Sequence, residues 1–247
     1  MPISATLSSL ATALRPRKGD QTRASIVEAA LAIASREGLE GLTIGTLADQ
    51  MKMSKSGVFA HFGSREDLQL AVLHEYVRRF VDEVLRPAVR EARGLPRLEA
   101  ILDRWVAFIA RELASGCLMV SGAFEYDDRP GPQRDAMVDI IRGWKAELLK
   151  AIRQAQAEGH LDADLDAQQM IFEIYGLVLA MHQDARLLRS ADSARRARAG
   201  LARLLESAGA QPQRLRGKAR ASRAPAPARA KKAQRARPRS APKSRKE

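Results

Sequence analysis

The chain has 247 residues, 45% hydrophobic, 29% charged and 4% aromatic, a length and apolar content that fit one or two globular domains. Its single cysteine, Cys117, excludes an internal disulfide framework and any multi-cysteine metal site within one chain. The net charge of +13 is concentrated: residues 210–247 hold 14 Lys or Arg and one acid, Glu247, which leaves 28 basic and 28 acidic residues for the rest.

Residues 1–19 are rich in Ser, Thr and Ala, with Arg15, Arg17 and Lys18 at their end. They carry no period and read as a flexible arm. The longest run without Asp, Glu, Lys or Arg, 1–14, is too short for a bilayer. It also lacks the basic start of a secretory signal. A soluble, cytoplasmic protein is expected.

From residue 20 to 208 the chain alternates helical periods with short breaks, and the fold class reads as all-α. The first helix is expected over about 21–37, capped by Asp20, with Ile26, Ala30, Ile33 and Ala34 on one face and Gly38 as its stop. A second, about 44–51, follows Thr43 as N-cap; a third, about 55–61, follows Ser54. The fourth opens on Ser64-Arg65-Glu66-Asp67, the spacing of a capping box with Asp in place of Glu. It continues through Leu68, Val72, Tyr76, Phe80 and Val84 until Pro87 stops or kinks it.

Further helices are marked by Leu98, Ile101, Leu102, Trp105, Phe108 and Ile109, and by Met137, Ile140, Ile141, Trp144, Leu148 and Ile152. The segment Met170–Met181 is apolar nearly all round and must be covered on most sides. A weaker helix, 191–208, carries Leu201, Leu204 and Leu205. No sustained period of two and no Asn-Gly or Asp-Gly turn suggests a strand. Residues 209–247, Ala/Arg/Lys/Pro with almost nothing apolar to bury, are expected to stay disordered.

Two signals point to chemistry without carrying it. Asp162, Asp164 and Asp166, with Glu173 beyond, imitate a calcium loop, yet lack its central glycine and precede a helix that they suit as caps. Cys117 lies among apolar neighbours and reads as a small buried hydrophobe. The histidines show no paired metal-ligand spacing, and no phosphate loop or nucleophile elbow occurs. No metal, no cofactor and no catalytic set is expected.

The informative stretch is 43–62: a short helix, a three-residue break and a second short helix. Leu47, Ala48, Met53, Val58 and Phe62 have the spacing that locks the pair at a steep angle, and Ala48 lets them cross closely. The outward face of the second helix is Lys55, Ser56, Gly57 and His61: small, polar or basic. Such a helix fits a major groove about 12 Å wide, and its small N-terminal residues let the helix dipole approach phosphate.

This segment, with the helix before it and Phe62-Gly63-Ser64-Arg65-Glu66-Asp67-Leu68 after it, resembles the tetracycline-repressor (TetR) family of bacterial transcriptional regulators. The resemblance covers about residues 20–75. It implies a helix-turn-helix DNA-binding domain at 20–80 (motif 43–62) and a helical effector-binding and dimerisation domain at 81–208. It also implies phosphate contact by Thr43, a place at the groove for Ser54, Lys55, Ser56 and Gly57, and backbone approach by His61 and Arg65. Phe59 stands where the family commonly has a tyrosine that bonds phosphate; it serves core or backbone packing otherwise, and His61 could simply cap its helix. Lys52 occupies a turn position usually held by glycine, and Gly45 weakens its helix by roughly 1 kcal/mol against alanine.

For the effector pocket the resemblance directs attention to the aromatic content of the second domain. Trp105, Phe108, Phe124, Tyr126, Trp144, Tyr175 and His182 are the candidates; Tyr126, Trp144, Tyr175 and His182 stand out because each brings a polar atom into apolar surroundings. The region 168–208 is the expected dimer surface, unless the Met170 helix is simply the central helix of a monomer. The expected function is a homodimeric repressor released from a pseudo-palindromic operator by a small molecule, with the basic tail adding sequence-blind phosphate contacts. Two rival classes are an architectural DNA binder driven by that tail and an enzyme of unknown reaction.

Overall fold

The structure is a computed structural model, and it describes residues 18–112 and 116–209. Most of the expected arm and tail therefore lies outside the described residues. Helix α1 (Lys18–Gly41) begins three residues before its expected start. Asp20 is thus in its first turn, where a carboxylate favours the helix dipole, rather than at the N-cap.

Gly38, at φ +81° and ψ 167°, breaks α1 before a last short turn. The left-handed backbone favours glycine, and a Cβ there would come within 3.0 Å of the Glu125 carboxylate oxygens. Helices α2 (Ile44–Met51), α3 (Lys55–Phe62) and α4 (Arg65–Phe80) come next, separated by a few residues each. Ile26, Ala30, Ile33 and Ala34 of α1 are buried with Leu47, Ala48, Val58, Phe62, Leu68 and Val72 in one core. Arg23 lies over the Phe62 ring, 4.8 Å from its centroid, and closes the edge of that core.

Beyond Phe80 the helix continues through a π-helical turn (Val81–Leu85) into a short helix (Arg86–Ala88). The Arg86 N–H reaches back to the Val81 carbonyl. This widening precedes Pro87, whose ring would clash with the carbonyl four residues earlier and which has no N–H to give. The chain thus runs as helix across the expected domain boundary at 80/81.

Helices α5 (Leu95–Glu112), α6 (Leu118–Glu125), α7 (Pro132–Ala157), α8 (Ala167–Arg186) and α9 (Ser193–Ser207) complete the described residues, none of which is in a strand. Asp166 caps α8 by accepting the N–H groups of Gln168 and Gln169 at 2.8 and 3.1 Å. Helix α6 has no counterpart among the expected helices. Its sequence, Leu-Met-Val-Ser-Gly-Ala-Phe-Glu, is apolar on opposite sides, so it shows no period. Gly116 just before it takes φ +106°, and a Cβ there would fall 1.8 Å from the Ser35 carbonyl oxygen. The start of α6 therefore rests directly on the α1 backbone. No described helix is long and apolar enough to cross a membrane.

Candidate nucleic-acid interface and ligand cavity

Three local caps shape the helix pair. Thr43 Oγ1 accepts the Thr46 N–H at 3.1 Å, and Thr46 Oγ1 accepts the Thr43 N–H at 3.2 Å, a reciprocal capping box with threonine in both roles. Ser54 Oγ accepts the Gly57 N–H at 3.0 Å and lies 3.1 Å from the Ser56 hydroxyl. At α4, Ser64 Oγ accepts the Asp67 N–H at 2.9 Å. Asp67 does not complete the expected box on the backbone; its carboxylate takes the Ser64 hydroxyl proton at 2.6 Å.

Between α2 and α3, Lys52 turns the chain at φ +54°, ψ +40°. Its N–H reaches the Ala48 and Asp49 carbonyls, so the left-handed turn is fixed by backbone bonds. Thr43, Ser54, Lys55, Ser56 and Phe59 are exposed, while Gly57 and His61 are half-buried. Ile44, Lys55, Ser56, Phe59 and Ala60 line a shallow open depression across the two helices. Lys55 Cε lies 3.5 Å from where a Gly45 Cβ would be. Its ammonium nitrogen lies 3.7 Å from the same point, so the lysine reaches from the first turn of α3 across to Gly45 of α2. Phe59, lining the same depression, is 51% exposed.

Arg65, expected to approach the DNA backbone, is hydrogen-bonded within the protein. Its Nε donates to the Leu42 carbonyl at 2.9 Å and its Nη2 to the Glu40 carbonyl at 2.5 Å and carboxylate at 3.1 Å. The guanidinium is committed to fixing the loop between α1 and α2. The geometry makes it a brace for Thr43.

A cavity of about 330 Å³ opens among α4, α5, α6, α7 and α8. Trp105, Trp144, Tyr175 and Phe124, four of the expected residues, line it, with Tyr76, Phe80, Ile109, Met119, Val120, Ile140 and Ile141. Its wall is a chain of edge-to-face rings: Phe80 on Trp144 at 4.8 Å, Trp144 on Trp105 at 5.0 Å and Trp105 on Tyr175 at 5.2 Å. Lys145 and Asp127, both exposed, stand at the solvent side. Trp144 Nε1 is buried with no hydrogen-bond partner among the described residues.

The other three candidates do not line it. Phe108 is packed edge-on against Tyr76 and Phe80, behind the wall. Tyr126 lies just past the end of α6 and gives its hydroxyl to Glu40. His182 is half-buried further along α8, where burial and the nearby Arg186 hold its pKa down.

In the cavity wall, Tyr76 donates to Glu112 Oε2 at 2.8 Å and its hydroxyl lies 3.6 Å from Cys117 Sγ. Burial raises Glu112 to about 7 and pushes the Cys117 thiol up. The cysteine is a protonated, buried wall residue.

Residues 26–72 match the model for bacterial regulatory proteins of the tetR family, and 94–201 match the tetracyclin repressor-like C-terminal domain. The chain belongs to the TetR family.

A curated relative, the HTH-type transcriptional regulator TtgR of Pseudomonas putida, is 25% identical over 175 residues, covering 65% of this chain and 80% of the relative. A TetR regulator structure from Chloroflexus aurantiacus superposes with a TM-score of 0.68 at 26% identity, over 77% of this chain and 97% of the other. Another, from Cytophaga hutchinsonii, has a TM-score of 0.69 at 19% identity, covering 80% and 100%. These relatives are transcriptional regulators, and the TetR family joins a DNA-binding helix-turn-helix to a ligand-binding C-terminal domain.

In this TetR-family chain the two regions meet at a polar seam that the sequence did not suggest. Glu125, at the end of the cavity helix α6, accepts the Leu39 N–H at 3.0 Å and the Glu40 N–H at 2.8 Å. The Tyr126 hydroxyl donates to Glu40 Oε1, and this bond, with Arg65, holds the Glu40 carboxyl below the usual range. Gln133 of α7 donates to Gln69 of α4 at 2.8 Å, and Gln69 donates to the Leu39 carbonyl at 2.6 Å. Both amides are buried. The break after Gly38 is thus gripped from α4, α6 and α7.

Proposed function

We propose that the protein is a homodimeric repressor that a small molecule releases from a pseudo-palindromic operator. The observation that carries this reading is the front turn of α3, with Ser54, Lys55 and Ser56 exposed, small or polar, and held by its own cap to the Gly57 N–H. Lys55 and Ser56 read base edges; Thr43, Ser54 and His61 contact the backbone, and Phe59 packs on it. Arg65 serves indirectly, by bracing the loop that carries Thr43. Residues 20–80 are the reading domain and 81–208 the sensing domain.

Two copies pair through 168–208. Phe172 on α8 is 71% exposed, and Leu179, Leu187 and Leu188 are exposed on the same helix and just beyond it. An apolar surface of this kind is what a helical pairing face needs. Ligand in the cavity acts on α6, and the Glu125 and Tyr126 contacts carry its displacement to the α1–α2 loop. The ligand shifts DNA affinity only by the difference in its own affinity for the two arrangements. The 14 cations of 210–247, outside the described residues, add a salt-dependent phosphate term, so their removal flattens log K against log salt.

The test is a Lys55→Ala, Ser56→Ala double variant. The parent first selects its preferred duplex from a random library. The folded, paired variant is expected to bind that duplex no better than random competitor at matched salt. Undiminished preference would reject the reading.

A further inference from the structure

We propose that the ligand of the cavity is a small organic acid, its apolar body against the ring wall and its carboxylate held by Lys145 and Tyr175 at the mouth. This rests on the reading that the cavity is a ligand site, and it adds the chemical class.

The lining is almost wholly apolar, so its few polar atoms decide selectivity. Among the described residues Lys145 has no ion-pair partner; its Nζ lies 4.8 Å from the centroid of the Tyr175 ring. The ammonium is therefore anchored beside the opening with its N–H groups available to an acceptor. The Tyr175 hydroxyl makes no hydrogen bond to the described residues, while its ring is fixed on Trp105. Burial raises its pKa, so it remains a neutral donor. Trp144 Nε1, in the next side chain of the wall, is buried and has no acceptor among them. The Tyr76 hydroxyl proton is already committed to Glu112.

Against these donors the described lining offers one carboxylate, Asp127, exposed and already accepting the Asp128 N–H at 2.9 Å. A cationic ligand could lie on the ring faces, but Lys145 already occupies the Tyr175 face at the mouth and would repel it, and Asp127 is the one carboxylate among the described lining residues. An acid finds an ammonium and a hydroxyl ready to donate, and its charge stays at the solvent side, where desolvation is least. The volume of about 330 Å³ is at the small end for ligand cavities and suits one ring or a short chain.

The experiment uses the full-length protein and three probes with one body: 4-phenylbutyrate, 4-phenylbutanol and 4-phenylbutylammonium. The chain's two tryptophans, Trp105 and Trp144, both line the cavity, so their fluorescence reports binding directly. The acid is expected to bind at least about tenfold tighter than either congener. Lys145→Met should erase that advantage, and Lys145→Glu should transfer it to the ammonium; Lys145 is exposed, and circular dichroism checks both folds. The proposal is overturned if the alcohol or ammonium binds as tightly as the acid. An unchanged acid-to-alcohol ratio in Lys145→Met overturns it as well, as does absence of binding by all three at millimolar concentration. DNA affinity is measured on the same samples. Acid that binds without altering DNA affinity supports the ligand class and contradicts release by ligand; release by the ammonium alone does the reverse.

Discussion

Tyr126 and Glu40 meet hydroxyl to carboxylate at 2.5 Å, across the seam between the end of α6 and the end of α1. The same carboxylate accepts Arg65, and Arg65 holds the Glu40 and Leu42 carbonyls. On the proposed function, a shift of α6 would reach the loop before Thr43 through Tyr126, Glu40 and Arg65. Tyr126→Phe keeps the buried ring and removes the link. We expect a loss of about 1 kcal/mol in stability, DNA affinity within a few-fold of the parent, and a clearly weakened response to ligand. Titrating DNA binding with and without ligand checks this; an intact response would show that the seam does not transmit.

Lys52 holds a left-handed turn at φ +54°. A side chain there costs roughly 1–2 kcal/mol, partly offset by glycine's greater freedom when unfolded. Lys52→Gly should therefore stabilise by about 1 kcal/mol, raising Tm by about 2–4 °C for a domain of this size. Thermal unfolding followed by circular dichroism gives the answer, and a lowered Tm would mean that the lysine makes a compensating contact.

Phe59 presents half its surface on the reading front but has no hydroxyl. Phe59→Tyr adds a donor where the proposed docking places a phosphate. Operator and random DNA should both be bound several-fold more tightly, about 1 kcal/mol, with their ratio unchanged, because phosphate contacts carry no sequence information. Competition binding at fixed salt separates the two quantities.

Glu112, raised to about 7 by burial, gives stability a pH dependence. Its folded pKa lies above the unfolded value of about 4.3. The folded state therefore holds more protons between those values, and stability falls as pH rises from about 4.3 to about 7. Allowing for partial exposure, the change is on the order of 1–2 kcal/mol. Glu112→Gln keeps an acceptor for the Tyr76 hydroxyl and should flatten that slope. Urea unfolding at pH 5, 6 and 7.5 measures it; equal slopes in the two proteins would place the titration elsewhere.

The reading region was legible because its signals are local. Thr43, Ser54 and Ser64 cap helices that begin one residue later, and each cap is satisfied within three residues of chain. Lys52 was suspect for the same reason. The cavity was legible only in part. Trp105, Trp144, Tyr175 and Phe124 line it, but Tyr76 and Phe80 read as ordinary core of α4, because periodicity marks a buried face without telling cavity from packing. Tyr126 drew notice for its polar tip, which points to Glu40 instead. Glu125, Gln69 and Gln133 gave no signal at all. Their partners lie 64 to 86 residues away or, for the Leu39 carbonyl, 30, so only the docked helices bring them together.

The π turn at Val81–Leu85 has an evolutionary reading. It accommodates one residue more than a regular helix of the same length. Each residue added to or removed from an α-helix rotates the remainder of the chain by about 100°. Because the widened turn absorbs that extra residue, loss of a single codon there would leave a regular helix with the downstream helices close to their present orientation, whereas loss of one from a regular stretch of α4 would turn them by more than a quarter circle. The π turn is thus the point along this helix where a one-residue change of length is absorbed, while elsewhere in α4 adjustment must come through substitutions.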